Sequence, residues 1–231
     1  MIKTIIDNFI NKTDDYVVGF ANIKGLIADS SFEYGIVIGK RLDNDIIDGI
    51  INGPTIKYFN HYKSINNELS SLIHTIGDQI TKEGFGCRIV EPSMNETEVE
   101  NYKLTLRSPV SHKMIGTRAG LGWIGKTDLF ISKKFGPRLR LVSLLTDYPL
   151  EITGSAIDKS RCGKCEDCVV ICPAKAATGK LWDIKTDREL FFDAHKCRNK
   201  CRELTRNRLD LDSSTCGICV SVCPIGKLRP H

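Results

Sequence analysis

The sequence predicts an α+β chain in two parts, and three observations carry that prediction. Helix-period and strand-like segments alternate through the first 155 residues, and nine of the ten cysteines fall between Cys162 and Cys223. Between them, "PLEITGSAID" (149–158) is small and polar, as a boundary should be. A chain of 231 residues can hold one medium domain and one small one. We therefore expect an α/β domain over residues 1–155 and a cysteine-rich domain over residues 156–231.

The elements follow in order. Met1–Asn11 spaces Ile2, Ile5, Ile6, Phe9 and Ile10 as a helix does. "YVVGFANI" and "YGIVIGK" are β-branched runs broken by glycine, hence buried strands. "NDIIDGIING" is a short helix ending at Gly53-Pro54. From Thr55 to Gly84, the apolar stripe Tyr58, Tyr62, Ile65, Leu69, Leu72, Ile73, Ile76 and Ile80 predicts one long helix packed on a core. "GFGCRIVEP" returns as a strand with Cys87 as a small buried hydrophobe, while "ETEVENYKLTLR" has no decisive period. "SPVSHKMIGTRAG" predicts a helix stopped at Gly120. The strands "TDLFIS" and "RLRLVSLLTD" follow, joined by a turn at Gly136-Pro137.

Composition narrows the function. A hydrophobic fraction of 41% with 26% charged residues suits a globular protein, and no apolar run is long enough for a membrane span. The first residues carry no small-residue cleavage site, so cytoplasm is expected. Clustered cysteines in that compartment point to metal binding rather than disulfides. The formal charge of +5 is uneven: residues 151–231 carry 15 basic and 11 acidic side chains. Two [4Fe–4S] units at about −2 each would offset that local excess, so the basic balance does not call for nucleic acid.

The cysteine spacing is specific. Cys162-x2-Cys165-x2-Cys168-x3-Cys172-Pro173 has the bacterial ferredoxin spacing, and Cys216-x2-Cys219-x3-Cys223-Pro224 repeats its end. Three close cysteines wrap one cubane, and the cysteine before proline leads away to the other. This cross-ligation assigns Cys162, Cys165, Cys168 and Cys223 to the first cluster. Cys172, Cys216, Cys219 and one more belong to the second, where spacing leaves both Cys197 and Cys201 open. Two zinc sites would not explain the paired C-x3-C-P ends.

The stretch "RAGLGWIGKTDLF" contains Gly120-x-Gly122-x-x-Gly125, the glycine spacing of a dinucleotide-binding turn. That turn must follow a strand and open a helix; here a helix precedes the glycines and a strand follows. Asp147 stands where an acid would be wanted, but the order of elements rejects the reading. The glycines instead suit a tight backbone path beside something bulky.

"AGLGWIGK" at 119–126, "LLTD" at 144–147, the double cysteine pattern and "DAHKC" together resemble the epoxyqueuosine reductase family. That family is itself related to the corrinoid iron–sulfur reductive dehalogenases. "YGIVIGK" and "YFNHYKSINNELSSL" extend the resemblance over nearly the whole chain. It implies a nitroreductase-like α/β sandwich of the cobalamin-binding type, followed by a two-cluster ferredoxin-like domain. It implies electrons entering from a donor such as ferredoxin or flavodoxin and passing through both clusters to cobalamin, or less readily flavin. The match to "DAHKC" makes Cys197 the remaining ligand.

The departures bear on substrate. The family's proton-donor aspartate corresponds to Leu106, and no carboxylate lies between Thr105 and Thr127. The sequence stops just past the second motif, without the family's helical repeats that hold tRNA. A short member acting on a small molecule or a corrinoid is therefore expected, with tRNA not expected as a partner; the alternative is a non-catalytic electron carrier. His112, six residues after Leu106, is the candidate proton donor. Gly120, Gly122, Trp123, Gly125 and Lys126 are the candidate cofactor contacts.

Overall fold

The computed structural model describes Thr4, Ile6 and residues 13–28, 31–94 and 100–227. The helix expected over Met1–Asn11 therefore lies almost wholly outside the described residues. Packing divides the chain into two units that are not contiguous in sequence. The first comprises Met1–Arg41, Ser64–Leu121 and Arg140–Ala156, and the second Leu42–Lys63, Gly122–Leu139 and Ile157–His231. The cysteine-bearing unit thus draws two segments, Leu42–Lys63 and Gly122–Leu139, from before residue 155, which sequence order alone does not indicate.

The first unit is built on a four-stranded sheet of order β1-β2-β6-β3, with β1 Tyr16–Asn22, β2 Tyr34–Arg41, β3 Cys87–Val90 and β6 Leu139–Thr146. β1 pairs antiparallel with β2, and β3 with β6. Side chains alternate across the sheet, so each face has its own helix. On one face, Val37 and Leu145 pack with Ile115 and Ala119, at the helix His112–Arg118 (α4). On the other, a Cβ added to Gly77 of the long helix Ile56–Lys82 (α2) would lie 3.3 Å from the Ile89 and Leu144 side chains, so a larger residue there would make its neighbours give way. The predicted stripe of α2 is buried at Ile65, Leu69, Leu72, Ile73, Ile76 and Ile80. Each fully buried Ile or Leu contributes about 1.5–3 kcal/mol. Between β3 and α4, only Tyr102–Thr105 (α3) is helical among the described residues of "ETEVENYKLTLR".

In the second unit, Asn44–Asp48 (α1) is capped by Asp43, whose carboxylate accepts from the Asp45 and Ile46 N–H groups. Gly122–Ile124 (β4) and Phe130–Ser132 (β5) form an antiparallel pair. The cysteines lie on or beside three helices: Asp167–Val170 (α5), Ala194–Leu209 (α6) and Ile218–Val222 (α7). Arg138, wholly buried, joins α1 to α7: it donates to Asn44 Oδ1 (3.0 Å), Asp48 Oδ1 (2.6 Å) and the Ser221 carbonyl (3.0 Å). Among the described residues, no helix is long and apolar enough to cross a membrane.

Candidate metal centre

Four of the expected ligands to the first cluster come together in one cavity. Cys162, Cys165, Cys168 and Cys223 line it, with Cys219 beside them and Gly125, Lys126 and Thr127 completing the wall. The space is about 470 Å³, partly open to solvent. A tight turn gathers the first cysteines: Gly163 adopts a φ of 55°, and the Cys165 N–H donates to the Cys162 carbonyl at 3.2 Å. Burial, then the Cys162 and Cys165 thiols, push the Cys168 thiol up; burial pushes Cys223 up to about 11. These thiols keep their protons until a cation takes their place, which is the coupling expected of a metal site.

The second group centres on α6. Asp193 caps this helix, accepting from the Lys196 N–H at 2.9 Å, so the "DAHKC" aspartate starts the helix that carries Cys197. One turn on, Cys201 is buried, its Sγ 3.9 Å from that of Cys197, and its side chain also hydrogen-bonds Cys216. The Cys201 hydrogen bond brings Cys216 down to about 7 and also lowers Cys197. Burial, then the charges of Cys197 and Cys216, raises Cys219. Cys172 follows α5, half-buried, and stands as a second-cluster ligand by the spacing rule alone.

This donor set fits iron–sulfur chemistry. Every candidate ligand is a thiol, the first four line one cavity, and the Trp123 N–H reaches one of their sulfurs. Bound there, [4Fe–4S] clusters would be held by Cys162, Cys165, Cys168 and Cys223, and by Cys172, Cys197, Cys216 and Cys219. They supply one-electron transfer.

The remaining sequence candidates fall in different places. Trp123, 6% exposed, packs with Ile131 and Ile157, and its Nε1–H donates to Cys162 Sγ at 3.4 Å. Lys126 is 3% exposed at the cysteine cavity, its Nζ 3.3 Å from Glu166 Oε1. The glycines answer to the chain's own packing. A Cβ on Gly122 would lie 2.1 Å from the Ile131 carbonyl, and one on Gly125 2.9 Å from the Ile131 side chain. Gly120 has a φ of 74°, and a Cβ added there would lie 2.7 Å from the Ser155 carbonyl. Asp147 accepts from the Gly86 N–H at 2.8 Å, a turn-holding role.

His112 does not supply the protonated imidazole that a donor role needs. Its Nε2 faces the Glu91 carbonyl at 3.0 Å and must donate there, which leaves Nδ1 to accept from Ser143 Oγ at 2.9 Å. Burial, against the pull of that carbonyl and helped by the Arg140 and Lys113 charges, lowers its pKa to about 4. It ties α4 to the sheet as a neutral ring. Cys87 is half-buried rather than buried, its Sγ directed at the Gly77 carbonyl. The sequence reading missed Thr127 and Arg138, which carry no spacing signature.

The comparisons agree with this chemistry. The family described as "4Fe-4S double cluster binding domain" matches residues 161–226. Curated relatives named epoxyqueuosine reductase include those of Leadbetterella byssophila, 29% identical over 54% of this chain and 40% of the relative, and of Vibrio cholerae, 25% identical over 74% and 41%. A shorter match, to the Pseudomonas aeruginosa enzyme, is 43% identical over 31% of this chain and 20% of the relative. The chain thus spans less than half the length of these relatives. Among solved structures, a catabolic reductive dehalogenase in complex with 3-bromo-4-hydroxybenzoic acid superimposes with a TM-score of 0.71 at 18% identity, over 98% of this chain and 31% of that one. Epoxyqueuosine reductase with a modified tRNA stem loop gives 0.58 at 14%, over 98% and 66%. Residues 161–226 thus match a double [4Fe–4S] cluster binding domain, the chain is similar in sequence to proteins named epoxyqueuosine reductase, and it shares its fold with the reductive dehalogenase structure.

Proposed function

We propose that this protein is an iron–sulfur oxidoreductase whose two clusters deliver single electrons to a reducible acceptor. The observation that carries the reading is the convergence of Cys162, Cys165, Cys168 and Cys223 on one cavity, with the Trp123 indole N–H directed at a ligand sulfur. Burial at Cys168, Cys219 and Cys223 makes bare thiolates unfavourable, so these residues release their protons as the clusters assemble. Lys126, buried against the same cavity, offsets part of the negative charge.

Cobalamin as the acceptor rests on the dehalogenase neighbours, one of them described through B12-dependent dehalogenation. The segment expected to meet it, Gly122–Lys126, is engaged with the cysteine cavity and with its own packing. The names of the curated relatives oppose the expectation that tRNA is not a partner. Epoxyqueuosine in tRNA thus stands as the alternative substrate, against the Leu106 that occupies the family's proton-donor position.

Anaerobic purification with iron and sulfide analysis tests the core of the proposal: two cubanes require about eight irons per chain. Four irons, or zinc, would remove it. Titration of the reduced protein with cobalamin, and separately with an epoxyqueuosine-modified stem loop, then distinguishes acceptors by reoxidation of the clusters. Oxidation by neither would leave an electron carrier for a protein partner.

A further inference from the structure

Glu166 stands between Cys165 and Cys168, and its backbone starts α5: the Glu166 carbonyl accepts from the Val169 and Val170 N–H groups at 2.8 and 2.9 Å. Its carboxylate does not cap that helix. It meets Lys126 instead, whose Nζ lies 3.3 Å from Oε1. A Cβ on Gly179 would lie 2.9 Å from the same oxygen, so the carboxylate passes over a residue with no side chain. The two charges are unequally placed. Lys126 lines the cavity of the first quartet with its side chain 4% exposed, whereas that of Glu166 is 55% exposed. Water screens the carboxylate far more than the ammonium, so the cavity feels the cation more strongly than its partner.

We propose that the Lys126–Glu166 pair sets the reduction potential of the first cluster, Lys126 raising it and Glu166 holding the ammonium in place while limiting its effect. One added electron takes the cluster unit from about −2 to about −3. A buried cation at the cavity wall therefore stabilises the reduced state more than the oxidised one. The carboxylate opposes this, weakened by solvent. The effect falls mainly on the first cluster, because all of its expected ligands line the cavity while Cys219 alone does so from the second set. The inference rests on the double-cluster reading above.

The test is an EPR-monitored redox titration of anaerobically purified wild type, Lys126→Met and Glu166→Gln, with iron measured in each. Both variants break the same ion pair, but they remove charges of opposite sign. The expected result is wild-type iron content in all three. The first cluster of Lys126→Met should be about three- to tenfold harder to reduce, tenfold being 59 mV. That of Glu166→Gln should be easier to reduce, by a smaller factor, and the second cluster should move less than the first in both. An unshifted first cluster in Lys126→Met would overturn the proposal. So would shifts of the same sign in the two variants, which is what losing a purely structural latch gives. If Lys126→Met loses iron, Lys126→Gln is judged on the same criteria. Iron loss in both would make Lys126 an assembly requirement and equally overturn the proposal. Wild-type protein with about four irons defeats the double-cluster reading itself, whereas about eight irons with unshifted variants defeats this inference alone.

Discussion

Replacing Trp123 with phenylalanine removes the indole N–H that reaches Cys162 Sγ from 3.4 Å, while an aromatic ring remains against Ile131 and Ile157. A hydrogen bond to a charged acceptor contributes about 1.5–3 kcal/mol. Only the part that grows on reduction moves the potential. One electron takes a cluster unit from about −2 to about −3, half as much charge again. If the bond strengthens in proportion, the reduced state gains about 1 kcal/mol from the indole, and its loss lowers the first-cluster potential by about 40 mV. The smaller ring also costs about 1–2 kcal/mol of packing, which must be separated from the redox effect. Iron content and thermal unfolding report the packing loss; an EPR-monitored titration reports the two potentials, with the second cluster as internal reference. A first-cluster potential within 10 mV of wild type, at full iron content, would refute the role given to the indole (about a quarter of the predicted shift).

Three further substitutions probe other parts of the structure. With Cys197 as the proposed ligand, Cys201→Ala should keep about eight irons and, by removing the sulfur 3.9 Å from Cys197 Sγ, shift only the second cluster's potential; loss of four irons would instead make Cys201 a ligand. Gly136→Ala would place a Cβ 1.8 Å from the Ile225 carbonyl, two residues past Cys223. It should displace that segment and cost the first cluster about four irons, so a full iron count would contradict the close approach. His112 has a folded pKa of about 4 against 6.5, so the unfolded chain takes up the proton first as pH falls. Its contribution is complete above pH 6.5 and declines by up to ~3 kcal/mol toward pH 4. His112→Gln should flatten that decline in urea unfolding at pH 7 and 5; an unchanged slope would place the acid sensitivity elsewhere.

Much of the scaffold was legible because it rests on local periodicity. The α2 stripe, the Gly120 stop and the strands around Gly35 and Leu144 follow from spacing of apolar residues, which burial reproduces directly. The cysteine quartet at the first cavity was legible for a different reason: a cubane fixes ligand spacing along the chain. Cys201 was ambiguous because one helical turn puts it on the same face as Cys197, with the two sulfurs 3.9 Å apart. His112 misled because sequence shows an imidazole near an expected reaction site but not the carbonyl and hydroxyl that occupy its nitrogens. Its depressed pKa comes from enclosure by residues 91, 140 and 143, far away in sequence.

The octapeptide shows where such reading fails and what replaces it. Its glycines were assigned to a bulky cofactor because glycine signals close approach without naming what approaches. The partners of Gly122 and Gly125 are the carbonyl and side chain of Ile131, which fix the β4–β5 pair. That pair in turn aims the neighbouring chemistry: Trp123 at Cys162, and Lys126 and Thr127 into the cavity wall. The glycines are therefore constrained through the donors they position, and those donors act on sulfur.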